Sequence, residues 1–161
     1  MFVLLMYAAV LAAPLWLIAV VAKLLSVALP GRRPDWGRDL LRWCAAAMAV
    51  AATLVYAIGL GTVQSDAHDA ESGAGSAPAK PCRSLAPELL DQLASHEPRY
   101  LPLGFDCVLS DGTVVAGTGG YDWCNALTAG CAVAAVLLLI ATGFLDELRA
   151  RAAVRGAAAK P

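Results

Sequence analysis

Long runs of apolar residues alternate with shorter polar segments along this chain. Three of the runs contain no charged residue, at positions 2–22, 43–62 and 125–145. Each run holds about 20 residues, which at about 1.5 Å per helical residue spans the roughly 30 Å hydrocarbon core of a bilayer. The pattern predicts an all-α integral membrane protein with three transmembrane helices, over 1–29, 43–62 and 123–145.

The composition supports this class and limits the size of any soluble domain. The chain has 161 residues, of which 59% are hydrophobic and 16% charged, and its mean hydropathy is +0.63. A soluble domain carries about a quarter charged residues. The longest segment outside the apolar runs, 63–122, is too short for a large hydrophobic core, which excludes a sizeable globular enzyme domain.

Basic residues are concentrated on one side of the predicted spans. Nine of the twelve lie at the end of the first span, in the link 30–42 or in the tail 146–161: Lys23, Arg32, Arg33, Arg38, Arg42, Arg149, Arg151, Arg155 and Lys160. By the positive-inside rule the link and the tail are cytoplasmic and the loop 63–122 is external. The sequence therefore predicts a multi-pass plasma-membrane protein with an external N-terminus and a cytoplasmic, helical tail that contacts anionic lipid.

A cleaved signal peptide is the alternative reading of the first run. Such a peptide needs a basic start and a short apolar core. Residues 1–22 contain no basic residue, and their apolar run is longer than a signal peptide needs. A retained helix is therefore the prediction.

The first part of the external loop, 63–80, is predicted to be a flexible linker. Residues 64–80 are rich in Ser, Gly, Ala and acidic residues and lack aromatic and β-branched side chains, so they bury too little apolar surface to offset their ordering entropy. Its acidic and histidine residues are predicted to be solvated rather than to form a metal site: Asp66, His68, Asp69 and Glu71.

The second part of the loop, 81–122, is predicted to be a small α+β external module. Four leucines fall on one face of a short helix over 84–94: Leu85, Leu89, Leu90 and Leu93. Residues 97–104 are predicted to be extended, because Pro98 and Pro102 each disfavour a helical conformation at the preceding residue. Residues 105–116 then predict a β-hairpin around an Asp111–Gly112 turn.

Two of the five cysteines are predicted to join this module. A folded unit of about 40 residues needs a covalent crosslink or a similar constraint in addition to its core. The external side of the membrane is oxidising and favours disulfides. Cys82 precedes the helix and Cys107 lies in the hairpin, so a Cys82–Cys107 disulfide would tie the two together, with Cys124 as the rival partner for either. Cys131 is predicted to act as a small apolar side chain.

Small residues recur at every fourth position in two spans and predict close helix packing. The second span carries Ala45, Ala49, Thr53, Ala57 and Gly61, and the third carries Ala126, Gly130 and Ala134. These stripes could pair within the chain or between two copies of it. In a chain so rich in alanine, chance is the alternative explanation.

The sequence carries no motif for catalysis, cofactor or metal binding, and no nucleic-acid-binding pattern, so no cofactor is expected. Residues 98–107 and 110–113 resemble segments of small membrane proteins of high-GC bacteria, which implies no activity. We expect a non-enzymatic membrane protein that binds lipid and uses its external loop in assembly with a membrane-protein partner or a second copy. The alternatives are a thiol–disulfide oxidoreductase using Cys82, Cys107 and Cys124, and an oligomeric channel lined by the small-residue faces.

Overall fold

The fold consists of three long helices and a small antiparallel sheet. A computed structural model describes residues 2–27, 35–72 and 78–158. Within these residues the long helices are α1 (Phe2–Ser26), α2 (Trp36–Glu71) and α4 (Tyr121–Ala158). Each contains a stretch long and apolar enough to cross a membrane. The predicted set of three long apolar helices is confirmed.

Helix α2 extends beyond the predicted span at both ends. It begins at Trp36, inside the predicted link, where the Arg38 and Asp39 amides donate hydrogen bonds to the Asp35 carbonyl. It continues to Glu71, so the prediction of a flexible linker is wrong for 63–71. Charges mark where a helix leaves an apolar medium, but they do not end its backbone hydrogen bonding. Residues 28–34 and 73–77, including Arg32 and Arg33, lie outside the described residues.

Between α2 and α4 the chain forms a three-stranded sheet. A 3₁₀ turn (Lys80–Cys82) and the short helix α3 (Pro87–Leu90) precede β1 (Leu93–Tyr100), β2 (Leu103–Leu109) and β3 (Val114–Ala116), which pair antiparallel in the order β1-β2-β3. The hairpin predicted around Asp111–Gly112 is confirmed. Gly112 has φ +83°, a conformation in which glycine avoids the steric cost of a Cβ.

The helix predicted over 84–94 is wrong in its second half. Helix α3 ends at Leu90, and Leu93 instead begins β1, where it pairs with Leu109 of β2. The leucine spacing fits a helix, but the segment from Leu93 pairs with β2 instead, with a shift of register between Leu93 and Ser95. Residues 97–100 and 103–104 are extended as predicted, and a turn whose Leu101–Pro102 peptide bond is cis joins them.

The described residues fall into two compact units. One comprises Met1–Leu15 and Thr53–Thr128, and it contains the sheet. The other comprises Trp16–Ala52 and Ala129–Pro161. In the second unit, Asp146 of α4 accepts ion pairs from Arg38 and Arg42 of α2, at 3.5 and 3.4 Å. These pairs link the start of α2 to α4 beyond its apolar stretch.

Helix α4 continues through the basic tail, as predicted. It reaches Ala158, and Arg151 pairs with Glu147 one turn earlier at 2.8 Å. Such a pair favours the helical backbone in a segment that has left the apolar stretch. Lys160 lies outside the described residues.

Candidate functional site

A disulfide fastens the module (81–122) internally. It joins Cys82, at the end of the 3₁₀ turn, to Cys107 in β2, with Cα atoms 6.0 Å apart, and this is the pairing that the sequence analysis favours. Both cysteines are 0% exposed. Closing a loop of this length restricts the unfolded chain and contributes about 3 kcal/mol.

The module is built on the part of α2 that was predicted to be a linker. Leu103 and Phe105 of β2 are buried in one apolar cluster with Val63 and Ala67 of α2. The same cluster contains both disulfide cysteines and two residues of the first turn of α4. Burial of this apolar surface explains why α2 remains helical to Glu71, and it makes the helix end and the sheet one folded unit.

Asn125 of α4 holds the start of β2. Its Oδ1 accepts a hydrogen bond from the Leu103 amide at 2.9 Å, and its Nδ2 donates one to the Leu103 carbonyl at 2.8 Å. Strand β3 pairs only with residues 106–108 of β2. The Asn125 amide therefore takes the place of a neighbouring strand at Leu103, which is almost completely buried.

Two tyrosines fix the end of β1 against α2. The Tyr56 hydroxyl donates to the Tyr100 carbonyl at 2.9 Å, and the Tyr100 hydroxyl donates to Gln64 Oε1 at 3.0 Å. Tyr56 and Gln64 are eight residues apart on α2, or about 12 Å along the helix axis. Tyr100, the last residue of β1, therefore lies against α2 with its side chain along the helix.

Asp66 connects α2 to the start of α4. The Tyr121 hydroxyl donates to Asp66 Oδ2 at 2.6 Å, and Lys80 Nζ lies 4.0 Å from Asp66 Oδ1. The prediction that Asp66 is solvated is therefore wrong, because the unforeseen helix brings its carboxylate to a buried tyrosine. His68 and Asp69 are exposed on the same helix, as expected.

One face of the sheet points away from the apolar cluster. Because Phe105 and Cys107 point inward, alternate residues and their cross-strand partners point outward. We call these residues the outer sheet face: Ser95, Glu97, Arg99, Asp106, Val114 and Ala116. Arg99 Nη1 lies 3.6 Å from Asp106 Oδ2, so one ion pair crosses this face.

A cavity of about 380 Å³ opens beside the outer sheet face. Its wall includes Arg99, Gly104, Thr118 and Asp122. A Cβ on Gly104 would lie 2.8 Å from Arg99 Nη2, so the glycine makes room for the guanidinium. The cavity wall carries one cation, Arg99, and one carboxylate, Asp122, and this chemistry suits polar contacts rather than covalent catalysis.

The small-residue stripe predicted on α2 is not a continuous packing face within the chain. Ala45 and Gly61 are buried, but Ala49 and Thr53 are exposed and Ala57 is intermediate. Each step of four residues turns about 400° around the helix, so the stripe drifts about 40° per step. The buried positions of α2 do not repeat at every fourth residue: Ala45, Ala47, Ala51, Ala52, Gly59, Gly61, Val63 and Ala67.

The stripe on α4 faces outward within the chain. Ala126 and Gly130 are exposed, Ala134 is intermediate, and a Cβ on Gly130 would meet nothing within 4 Å. The buried side of α4 carries Tyr121, Cys124 and Ala135. Pairing of the Ala126 stripe with a second copy of the chain stays a prediction.

Two glycines of α2 face different neighbours: Gly61, a member of the predicted stripe, and Gly59, which the sequence analysis did not single out. A Cβ on Gly59 would lie 2.6 Å from Leu103 Cδ1 and 3.3 Å from Cys124 Cβ. A Cβ on Gly61 would lie 2.6 Å from Met6 Cγ of α1. The absence of a side chain at Gly59 thus allows the sheet and α4 to pack closely against α2, and its absence at Gly61 allows α1 to do so.

The three remaining cysteines are not paired with one another. Cys124 is buried against Gly59, and Cys44 and Cys131 are partly buried. In the part of the chain that the structure describes, no three His, Cys, Asp or Glu side chains are grouped to hold a metal ion. The cysteines therefore form one buried disulfide and three separate thiols.

Comparison of the chain with known protein families, with curated proteins and with solved structures finds no match.

Proposed function

We propose that this protein crosses the plasma membrane three times and presents the module (81–122) on the outer side. The three apolar helices support the spans. The charges support the direction, because Arg38 and Arg42 precede the apolar stretch of α2 and Arg149 follows that of α4, at the helix ends that the chain does not join to the module. The N-terminus is then external and the tail cytoplasmic.

The function that the geometry supports best is partner binding by the outer sheet face. The observation that carries it is the anchoring of the sheet. The disulfide, the apolar cluster and the Asn125 contacts hold β2 in place, and the outer sheet face points away from the apolar cluster. A preorganised surface loses less conformational entropy on binding. The partner is a membrane protein or a second copy of this chain, and the protein is an assembly or accessory component.

Site-specific crosslinking in native membranes tests this proposal. A photoreactive amino acid replaces Val114, an exposed member of the outer sheet face, and in a control it replaces Glu88, which is exposed on α3. We expect a discrete, saturable adduct from position 114 and none from position 88. The adduct should disappear when Cys82 and Cys107 are both replaced by serine.

The mass of the adduct distinguishes the two kinds of partner. Twice the mass of the chain identifies a second copy, and any other discrete mass identifies a different protein. If position 114 gives no adduct and the detergent-solubilised protein is monomeric, partner binding at this face is wrong.

The oxidoreductase alternative gains no support from the cysteine geometry. Exchange requires a thiolate to reach a disulfide sulfur, whereas Cys82, Cys107 and Cys124 are all buried. Peptide mapping that finds the Cys82–Cys107 bond unchanged by mild reductant or quinone would end that alternative. The channel alternative is tested by conductance in planar bilayers.

A further inference from the structure

The turn between β1 and β2 carries an apolar side chain that nothing in the described chain covers. Leu101, at the tip of this turn, is 84% exposed, and Pro102 follows it. The neighbouring residues are tightly held: Leu103 is 1% exposed, and Tyr100 is bonded to Tyr56. A rigid turn thus presents a leucine outward.

The contacts of this turn place it level with the apolar stretches of α2 and α4. Leu103 touches Gly59 of α2 and bonds to Asn125 of α4. The next charged residues are Asp66, seven residues along α2, and Asp122, three residues before Asn125. These separations are about 10 and 4.5 Å along the helix axes. The turn therefore lies on the apolar side of the nearest charge on each helix.

The residues that flank the tip contact the apolar stretch of α2, Tyr100 at Tyr56 and Leu103 at Gly59. The Tyr100 side chain reaches Gln64, while the Tyr100 carbonyl bonds to Tyr56, farther from Asp66. Trp123, two residues before Asn125, is 57% exposed, and exposed tryptophans concentrate where a membrane meets water. Leu101 directly follows Tyr100 in the chain and is exposed at this level.

Backbone groups of the two residues that flank the turn are satisfied by protein side chains. Irregular backbone is tolerated at membrane depth only where the protein satisfies its polar groups. The Tyr100 carbonyl is satisfied by Tyr56, and both the amide and the carbonyl of Leu103 are satisfied by Asn125. Pro102 has no amide hydrogen to satisfy.

From these observations we infer that the β1–β2 turn is a membrane-interface anchor, with Leu101 inserted among the lipid chains of the outer leaflet. The module then touches the bilayer at the turn in addition to its connections to α2 and α4. This inference rests on the proposed membrane spans. It assigns a lipid contact to a residue that belongs to no span.

Depth measurement by spin labelling tests the anchor. The three native free thiols are first removed by the substitutions Cys44→Ser, Cys124→Ala and Cys131→Ala. One cysteine is then introduced per variant, as Leu101→Cys, Val114→Cys or Leu11→Cys. Each variant is labelled with a maleimide nitroxide and placed in phosphatidylcholine–phosphatidylglycerol vesicles. Val114 is exposed on β3, away from the turn, and Leu11 is exposed on α1. Collisions of each label with oxygen, which enters lipid, are compared with collisions with a water-soluble nickel chelate.

We expect the labels at positions 101 and 11 to collide more often with oxygen, and the label at position 114 to collide more often with the nickel chelate. If 101 behaves like 114 while 11 favours oxygen, the anchor is wrong and the spans stand. If 11 also favours the nickel chelate, the spans and the anchor are both wrong. An unchanged Cys82–Cys107 bond and elution volume show that each labelled variant is folded.

Discussion

Single polar side chains at the ends of the apolar helices decide how the module is held. Asn125 is the clearest case, because one amide satisfies two backbone groups of a nearly buried residue. Tyr56 and Asp66 act in the same way at other points of α2. The bonds of Asn125 and Asp66 are partly buried, so their loss leaves a shielded polar group without a partner.

Two substitutions at Asn125 test its hydrogen bonds to the Leu103 amide and to the Leu103 carbonyl separately. We expect Asn125→Ala to lower the free energy of unfolding by about 2 kcal/mol or more, because two backbone groups lose their partners. It should also speed hydrogen exchange at the Leu103 amide. Asn125→Asp retains the acceptor and should leave that amide protected. Equal exchange rates at Leu103 in Asn125→Ala and the wild type would contradict this role.

The turn residue Asp111 gives the hairpin a pH dependence. The Thr113 amide and hydroxyl donate to its carboxylate, both at 2.8 Å, and the backbone bond is the larger cause that lowers the pKa of Asp111 below 3.8. Because the folded pKa is the lower one, the stabilisation is present above the unfolded pKa and disappears as the pH falls through the folded pKa.

The Thr113 amide chemical shift reports this titration. We expect its midpoint to lie below pH 3.8. Asp111→Asn should remove the titration while keeping an oxygen acceptor for the Thr113 amide. A midpoint at or above 3.8 would show that these hydrogen bonds do not form in solution.

At the scale of elements, α2 is the central helix of the module-bearing unit. Two of its glycines allow close packing on opposite sides of the helix. Gly59 contacts the sheet and α4, and Gly61 contacts α1. The two glycines face different neighbours because positions two residues apart lie about 200° apart around the helix axis. A single small residue therefore serves each interface.

Alanine substitution at these glycines should be destabilising despite alanine's higher helix propensity. We expect Gly59→Ala and Gly61→Ala each to lower the midpoint of thermal unfolding, corresponding to about 1–3 kcal/mol of overpacking. Gly130→Ala is the matched control, because its Cβ meets nothing within 4 Å. That variant should be neutral or stabilised by up to about 1 kcal/mol. Equal effects at all three positions would refute specific packing.

The disulfide links two elements that are far apart in sequence. We expect Cys82→Ser/Cys107→Ser to destabilise the module by about 3 kcal/mol, measured as the denaturant midpoint of module unfolding. In the native protein, both sulfurs should resist dithiothreitol until denaturant is added, because neither is exposed. Rapid reduction without denaturant would show that the bond is accessible and would revive the redox alternative.

At the scale of the whole molecule, the distribution of charge predicts a direction across the membrane. Cysteines introduced as Asp69→Cys on α2 and Arg151→Cys on α4 report the two ends, since both residues are exposed. With Cys44, Cys124 and Cys131 replaced, an impermeant maleimide added outside intact cells should label position 69 alone. Permeabilisation should add position 151. Labelling of both positions in intact cells would refute the proposed direction.

The sequence predicts the apolar helices better than it predicts the structure of the module. Uncharged runs identify the three helices because a charge is costly in an apolar medium. They do not give the helix ends, since 63–71 is helical through contacts with Leu103 and Phe105, which are distant in sequence. The leucine spacing of 84–94 likewise predicts a helix where the pairing of Leu93 with Leu109 makes a strand.

The sequence by itself determined the three apolar helices, the hairpin turn at Asp111–Gly112 and the favoured disulfide pair. These depend on local composition, turn chemistry and cysteine placement, all of which are readable along the chain. Only the tertiary structure decided the extension of α2, the separate roles of Gly59 and Gly61 and the bonding of Asn125 to β2. The physical reason is that each of these features depends on which residues, distant in sequence, come to share a buried contact.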